Sequence, residues 1–376
     1  MNKAIREPKL LAVVSEVNSS PQLLSIFTKA AKSGFKLDIT VIGIKSSKII
    51  SDLEGIGLPV FRLEPKRKFC SAPLFINIFL RILREKPSII LTSGQYATVI
   101  GLICAKILMV NHRAFIRHHS AFHKQNKMFF ASLIDKLCNY LATHIIAVSE
   151  LVRKILILDE RVSDKKVVLI NNGIEISHFY QNPNNMAPHA IHKTSLRIGM
   201  ISRFTKLKGI EYAVSAFIEI HREYPDVTFH IVGAFADSYL EVLRILSVVP
   251  PSCYKLEESC DSVPDFFGEI DTFIHVPVGV EEESFGLVYI EALASRVDCI
   301  FTISGILNEI ADIEKYARVV AHKNSKDIYN ALKACIEGGT SDIVPMPYEK
   351  LEEFSIQRMT ESYVDLFLEW HADDSR

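Results

Sequence analysis

The sequence predicts an α/β chain built of two doubly wound domains facing each other across a cleft, with a C-terminal helix crossing back. Three observations carry that expectation. Short, β-branched-rich runs alternate with longer amphipathic stretches, the pattern of parallel βαβ units. One polar stretch containing two prolines interrupts the alternation near mid-chain. The final amphipathic stretch has no strand after it.

In order, the expected strands of the first half are residues 10–15, 37–44, 88–93, 114–118, 145–149 and 167–171. Short continuous apolar runs of this kind suit strands covered on both faces. Helices are expected at 21–33, 73–85, 129–142 and 150–158. Pro183, Pro188 and their Asn neighbours mark a linker over 181–194. Alternation resumes with strands at 196–201, 228–232, 273–276 and 299–303, and helices at 210–223, 240–247, 286–295 and 327–337. The chain thus divides into a first domain over 1–180, the linker 181–194, a second domain over 195–347, and a helix over 348–376 packing back toward the first domain. Open α/β sheets bind ligands beyond the carboxyl ends of their strands, so a site belongs in the loops that follow them.

Composition narrows the class. With 376 residues, 48% hydrophobic and 23% charged, the chain is folded and larger than one small module. The best spanning candidate, 97–110, falls short of the ~18 apolar residues a membrane span needs and contains Lys106. The amino-terminal apolar stretch, LLAVV, is below the ~7–15 residues of a secretory core, so a cytoplasmic protein is expected. Seven cysteines with no C-x-x-C pair agree with reduced thiols. Residues 1–180 hold 26 Lys and Arg against 13 Asp and Glu, a net +13; the rest hold 17 against 31, a net −14. Either the basic half faces something anionic or the opposite charges help the halves associate.

The loops carry the chemistry. No glycine precedes Gly34, so the first strand-to-helix turn lacks G-x-G-x-x-G, and no P-loop motif is present. No Asp-x-Asp occurs, which disfavours a Mg²⁺-held nucleotide diphosphate. Residues 281–295 read EEESFGLVYIEALAS. Glu283 lies in the loop, Ser284 can cap, and Phe285-Gly286-Leu287 opens a helix whose free N–H groups can receive a phosphate. Glu291 falls one turn below Leu287 and Val288 on the same face. Two such carboxylates can hold the hydroxyls of a sugar and a ribose, or can be solvated glutamates before a core helix; the apolar neighbours of Glu291 favour the first. In SRFTKLKG, Arg203 and Lys208 form either a diphosphate clamp or a solvated face. RHHSAFH, residues 117–123, follows a strand directly. Without a carboxylate or cysteine nearby to complete a metal set, His118 or His119 in contact with an acceptor or sugar hydroxyl is preferred over zinc.

At these residues the chain resembles the retaining glycosyltransferases of family 4 (group 1), which have the GT-B fold of two Rossmann-like domains. The resemblance runs through KSGFKLDITVIG (32–43), IIAVSE (145–150), INNGIEISHF (170–179), ISRFTKLKG (201–209), the Glu283-x7-Glu291 pair within 268–295, and SGILNEI (304–310). It implies transfer of a glycosyl unit from a nucleotide-diphospho-sugar such as a UDP-sugar to a glycan or lipid-linked acceptor, with retention and without a metal or other cofactor. Arg203 and Lys208 would neutralise the donor diphosphate. Glu283, with the backbone at Phe285, Gly286 and Leu287, would hold the donor sugar and distal phosphate, and Glu291 the ribose. His118 or His119 would be the acceptor-side histidine. The process implied is cell-surface polysaccharide or lipopolysaccharide synthesis, with no nucleic acid as partner.

Three features depart from the family pattern: EVNSSPQ (16–22) in place of a two-glycine loop, Arg296-Val297-Asp298 in place of Gly-x-Pro, and one glycine in HIVGAF (230–235). In the first, Ser19 and Ser20 could donate hydrogen bonds in place of the glycines. The altered first loop keeps open a second class of function, a catalytically silent nucleotide-sugar-binding partner or sensor. The basic helix at 73–86 either packs routinely on the first sheet or rests on anionic lipid at the inner face of the membrane.

Overall fold

The computed structural model describes residues 7–15, 20–43, 48–64, 72–118, 129–180, 195–338 and 343–375. They fall into two compact units, Met1–Gly173 with Ile356–Arg376, and Ile174–Ser355. The linker expected at 181–194 lies outside the described residues.

The first unit is built on seven parallel strands: β1 (Lys9–Ser15), β2 (Lys36–Ile42), β3 (Val60–Leu63), β4 (Ile89–Ser93), β5 (His112–Arg117), β6 (His144–Ala147) and β7 (Val167–Leu169). Their order is β3-β2-β1-β4-β5-β6-β7, with Val13 opposite Thr40 on one side and Thr92 on the other. Chain order reverses beside β1, the switch point of a doubly wound sheet. Ser20 caps the helix Pro21–Lys32 by accepting from the Leu23 amide at 3.2 Å. Ala72–Glu85, Gln95–Ile107 and Phe129–Leu141 form a helical layer, the middle one touching both others. Leu11, Val13 and Ile90 meet Ile78, Ile82, Ile100 and Cys104 beneath it. The terminal helix Ile356–Ser375 packs on Pro21–Lys32. Trp370 stacks on His144 at 4.3 Å, and burial lowers that imidazole's pKa to about 4.

The second unit holds six parallel strands: β8 (Arg197–Ile201), β9 (Thr228–Val232), β10 (Tyr254–Glu257), β11 (Thr272–His275), β12 (Asp298–Phe301) and β13 (Arg318–Val319). They are ordered β10-β9-β8-β11-β12-β13, so the reversal recurs beside β8. Met200, Phe217, Ile231 and Ile300 anchor its core.

Several elements differ from expectation. Strands β3, β10 and β13 were not anticipated. They are edge strands of two to four residues, largely half-buried, and therefore lack the apolar run that marks an interior strand. The helices Lys48–Gly55, Gln95–Ile107 and Val263–Glu269 were also not anticipated. Residues 348–370 do not form one helix. Tyr348–Glu352 and Ile356–Ser375 are separate, because the Phe354 carbonyl accepts from the Ile174 amide (2.9 Å) instead of continuing a helix, and Ser355 pairs with Ile174 in a one-residue bridge. Ile176–Tyr180 and Tyr348–Glu352 both pack on the helix Leu287–Ser295, and residues 174–180 and 348–355 belong to the second unit.

Candidate donor site

The residues singled out in the second unit gather at the carboxyl edge of its sheet. Arg203 and Lys208 follow β8, Glu283 to Leu287 follow β11, and Ser304 and Gly305 follow β12. Phe204 fixes the first of these loops. It is buried and packs edge-on against Phe235 and Tyr239 at ring separations of 5.3 and 5.4 Å. That leaves the neighbouring Arg203 exposed, with no ion pair among the described residues.

Lys208 and Glu283 form the centre. Lys208 Nζ donates to Glu283 Oε1 at 2.5 Å and to the Glu282 carbonyl at 3.2 Å. Both side chains are mostly buried, with 9% and 14% of their surface exposed. An ammonium has three donors, so one remains for a ligand. His275, at the end of β11, donates Nε2–H to the same Oε1 at 2.8 Å. Burial opposes ionisation of Glu283, but the His275 hydrogen bond and the Lys208 charge prevail and hold its pKa at about 2. Burial lowers the pKa of His275 despite the adjacent carboxylate. His275 is therefore a neutral donor, and Lys208 supplies the counter-charge. Glu283 Oε2 carries no hydrogen bond among the described residues and stays available to a ligand hydroxyl.

The backbone around this cluster is pinned. Ser304 Oγ accepts from the Glu283 amide at 3.1 Å and donates to the Val280 carbonyl at 3.0 Å. The Ile306 amide donates to the Phe285 carbonyl at 2.8 Å. Gly305 sits at φ +56°, where an added Cβ would lie 2.5 Å from the Phe285 carbonyl oxygen and 2.8 Å from Glu283 Cβ. A side chain there would push the acidic loop out of place.

The helix Leu287–Ser295 begins at Gly286, at φ +82°, with no side-chain cap. Ser284, expected to cap, lies two residues too early. Leu287 and Val288 thus present first-turn N–H groups without a side-chain partner, the arrangement that receives phosphate oxygens. Phe285 is buried against Phe354, which orients the turn. Glu291 lies half-buried inside the same helix and has no hydrogen bond or ion pair among the described residues. Burial alone raises its pKa to about 7.

In the first unit, His118 follows β5 at the carboxyl edge, exposed, with Nε2 3.0 Å from Ser93 Oγ at the end of β4. His119, His123 and Ser19 lie outside the described residues. Ser20 Oγ accepts from the Leu23 amide as a helix cap, a contact that uses a lone pair and not the O–H expected to donate. Among the described residues no group of three or more His, Cys, Asp or Glu side chains is placed to hold a metal.

Sequence reasoning missed His275 and the part played by Ser304. The signal for His275 was present: a histidine inside a β-branched strand, one residue before Val276-Pro277, is a polar group whose burial demands a partner.

Comparison with known proteins identifies the family. Residues 195–338 match the model for glycosyl transferases group 1, and residues 30–178 match that for glycosyltransferase family 4. A capsular polysaccharide biosynthesis glycosyltransferase, CapM, from Staphylococcus aureus is 26% identical over 65% of this chain and 67% of its own. An uncharacterized glycosyltransferase from Methanocaldococcus jannaschii is 25% identical over 46% of each chain, so the chain spans about half the length of that relative. The crystal structure of Anabaena HepE with UDP-glucose superimposes with a TM-score of 0.78 at 18% identity, covering 96% of this chain and 99% of that one. With one family model on each unit and the two-sheet architecture shared with HepE, the chain belongs to the group 1, family 4-like glycosyltransferases of GT-B fold.

Proposed function

We propose that the protein transfers a sugar from a UDP-sugar to a glycan or lipid-linked acceptor in cell-surface polysaccharide synthesis, with retention at the anomeric carbon and without a metal. The observation that carries this is the donor edge of the second unit: an ion pair with one free ammonium donor and an uncapped helix start on loops after strands, and an unpartnered, half-buried carboxylate one turn into that helix. Each matches one part of a nucleotide-diphospho-sugar. Arg203, Lys208 and the amides at Leu287 and Val288 suit the diphosphate. Glu283 Oε2 suits a sugar hydroxyl, and Glu291 suits the ribose diol, which would satisfy a carboxylate otherwise buried at a cost. The UDP-glucose of HepE and the capsular role of CapM support the choice of donor class and process.

When the bond from C1 to the distal phosphate oxygen breaks, its electron pair stays on the diphosphate. Fixed donors aimed at that growing charge are the kind of stabilisation that lowers a barrier most. Lys208 is held in place by Glu283 before the donor arrives, so little reorganisation is needed. His118, set by Ser93, is the acceptor-side candidate; His119 shares that role as an alternative.

The experiment is nucleotide-sugar binding followed by turnover without acceptor. A donor at 100 times its Kd should raise unfolding free energy by roughly 2.7 kcal/mol, and slow hydrolysis should release UDP. Binding with no hydrolysis or transfer would favour the silent-partner reading, which the glycine-free loop at 16–22 recommends. Absence of binding to any nucleotide sugar would refute both.

A further inference from the structure

The helical layer of the first unit shows apolar residues on both of its faces. In Ala72–Glu85, Leu74, Ile78 and Ile82 point into the core, while Ile76, Leu80 and Leu83 stand exposed on the opposite side. In Phe129–Leu141, Cys138 and Leu141 are buried, and Leu133, Leu137 and Tyr140 are exposed. Each exposed set follows i, i+4, i+7 spacing, one helical stripe. Between these helices runs Gln95–Ile107, in contact with both, ending in exposed Ile107 and followed by exposed Met109. Single exposed apolar residues need no explanation, but two such stripes on the helices that flank Gln95–Ile107, with Ile107 and Met109 at its end, mark an interaction surface.

The charge on this layer selects the partner. Arg84, Lys86, Lys106 and Lys136 are exposed on or beside the same helices. Their two acidic residues are both engaged: Glu85 with Arg84 at 2.9 Å, and Asp135, buried, with Arg117 at 3.5 Å. Apolar stripes among cations with no unpaired acid fit the headgroup region of an anionic bilayer. Among the described residues no helix is long and apolar enough to cross a membrane, so the contact would be lateral.

We propose that the layer formed by Ala72–Glu85, Gln95–Ile107 and Phe129–Leu141 docks on an anionic lipid leaflet, with the leucine stripes entering the interface and the lysines meeting lipid phosphates. The proposal draws its purpose, reaching a lipid-linked acceptor, from the glycosyltransferase reading above, but its test does not depend on that reading. The full chain is sedimented with phosphatidylcholine vesicles with and without phosphatidylglycerol, at low and high salt. Binding to the anionic vesicles, weakened by salt, is expected. Each of Leu80→Ser and Leu137→Ser should lower the partition coefficient about tenfold, the loss for one leucine leaving an apolar interface. Each of Lys106→Gln and Lys136→Gln should lower it about fivefold at low salt. These positions are exposed, so the thermal midpoint should hold. Failure to bind either vesicle, equal binding to both, or binding unchanged by the leucine substitutions would overturn the proposal. So would a concentration-dependent dimer that the same substitutions dissolve, since the stripes would then belong to a second copy. Vesicle binding without any nucleotide-sugar binding would sink the enzymatic reading and leave the surface standing; the reverse result would do the opposite.

Discussion

Replacing Lys208 by methionine isolates the ion pair at the centre of the candidate site. The substitution keeps the apolar stem and removes the charge 2.5 Å from Glu283. Holding the Glu283 carboxyl at about 2 rather than 4.5 corresponds to about 3 kcal/mol, and stripping one partner from a buried pair costs about 3–5 kcal/mol. The sign is set by burial. In the wild type the depressed carboxyl contributes stability that is present above pH 4.5 and lost as pH falls through about 2. In Lys208→Met, burial acts unopposed by the ammonium and raises the carboxyl, so the loss relative to wild type should be largest near pH 8 and smaller at pH 5. Lys208→Met with Glu283→Gln removes both charges and should recover most of the loss. Urea unfolding followed by circular dichroism measures each variant. Fluorescence of Trp370, the chain's single tryptophan, reports the first unit and serves as the internal control. The reasoning fails if Lys208→Met unfolds at the wild-type urea midpoint at pH 8, or if the double variant loses the sum of the two single effects.

Glu291, raised to about 7 by burial, should make the unliganded second unit lose stability as pH rises through 7, by about 3 kcal/mol at most; Glu291→Gln should flatten that slope in urea titrations at pH 5.5 and 8. Glu291→Ala should weaken both UDP and uridine in calorimetry, because the ribose is common to them. Gly305→Ala, at φ +56° and against the Phe285 carbonyl, should destabilise by about 1–2 kcal/mol from conformation alone and lower donor affinity through displacement of Glu283. His275→Asn should retain folding but let Glu283 turn, raising the KM for donor more than His275→Gln, whose longer amide can still reach Oε1.

The interior strands were legible because two-sided burial writes itself as an apolar run, as in Leu10–Val14 and Ile89–Leu91. Edge strands such as Arg318–Val319 carry no such run. The helix Gln95–Ile107 escaped because it is apolar on nearly every side, which erases the periodicity that distinguishes a surface helix. The division between units was displaced for a different reason. It follows long-range packing, since Ile176–Tyr180 and Tyr348–Glu352 both lie against Leu287–Ser295 and Ile174 bonds to Phe354, and local pattern cannot report partners that distant in sequence. For the site, residue types at loop positions located Arg203, Lys208, Glu283 and Glu291. Their pairing was not visible: nothing in the spacing of Lys208 and Glu283 shows that they meet, or that His275 shares the same oxygen.

The central claim, that the loops after β8 and β11 bind a donor diphosphate, is tested most directly by calorimetric titration of UDP and uridine into wild type and Lys208→Ala. A charge-assisted contact is worth about 1.5–3 kcal/mol. UDP affinity should therefore fall about 10- to 100-fold in the variant, while uridine affinity stays the same. Equal UDP binding by wild type and Lys208→Ala would contradict the claim and leave Arg203 and the amides at Leu287 and Val288 without their proposed partner.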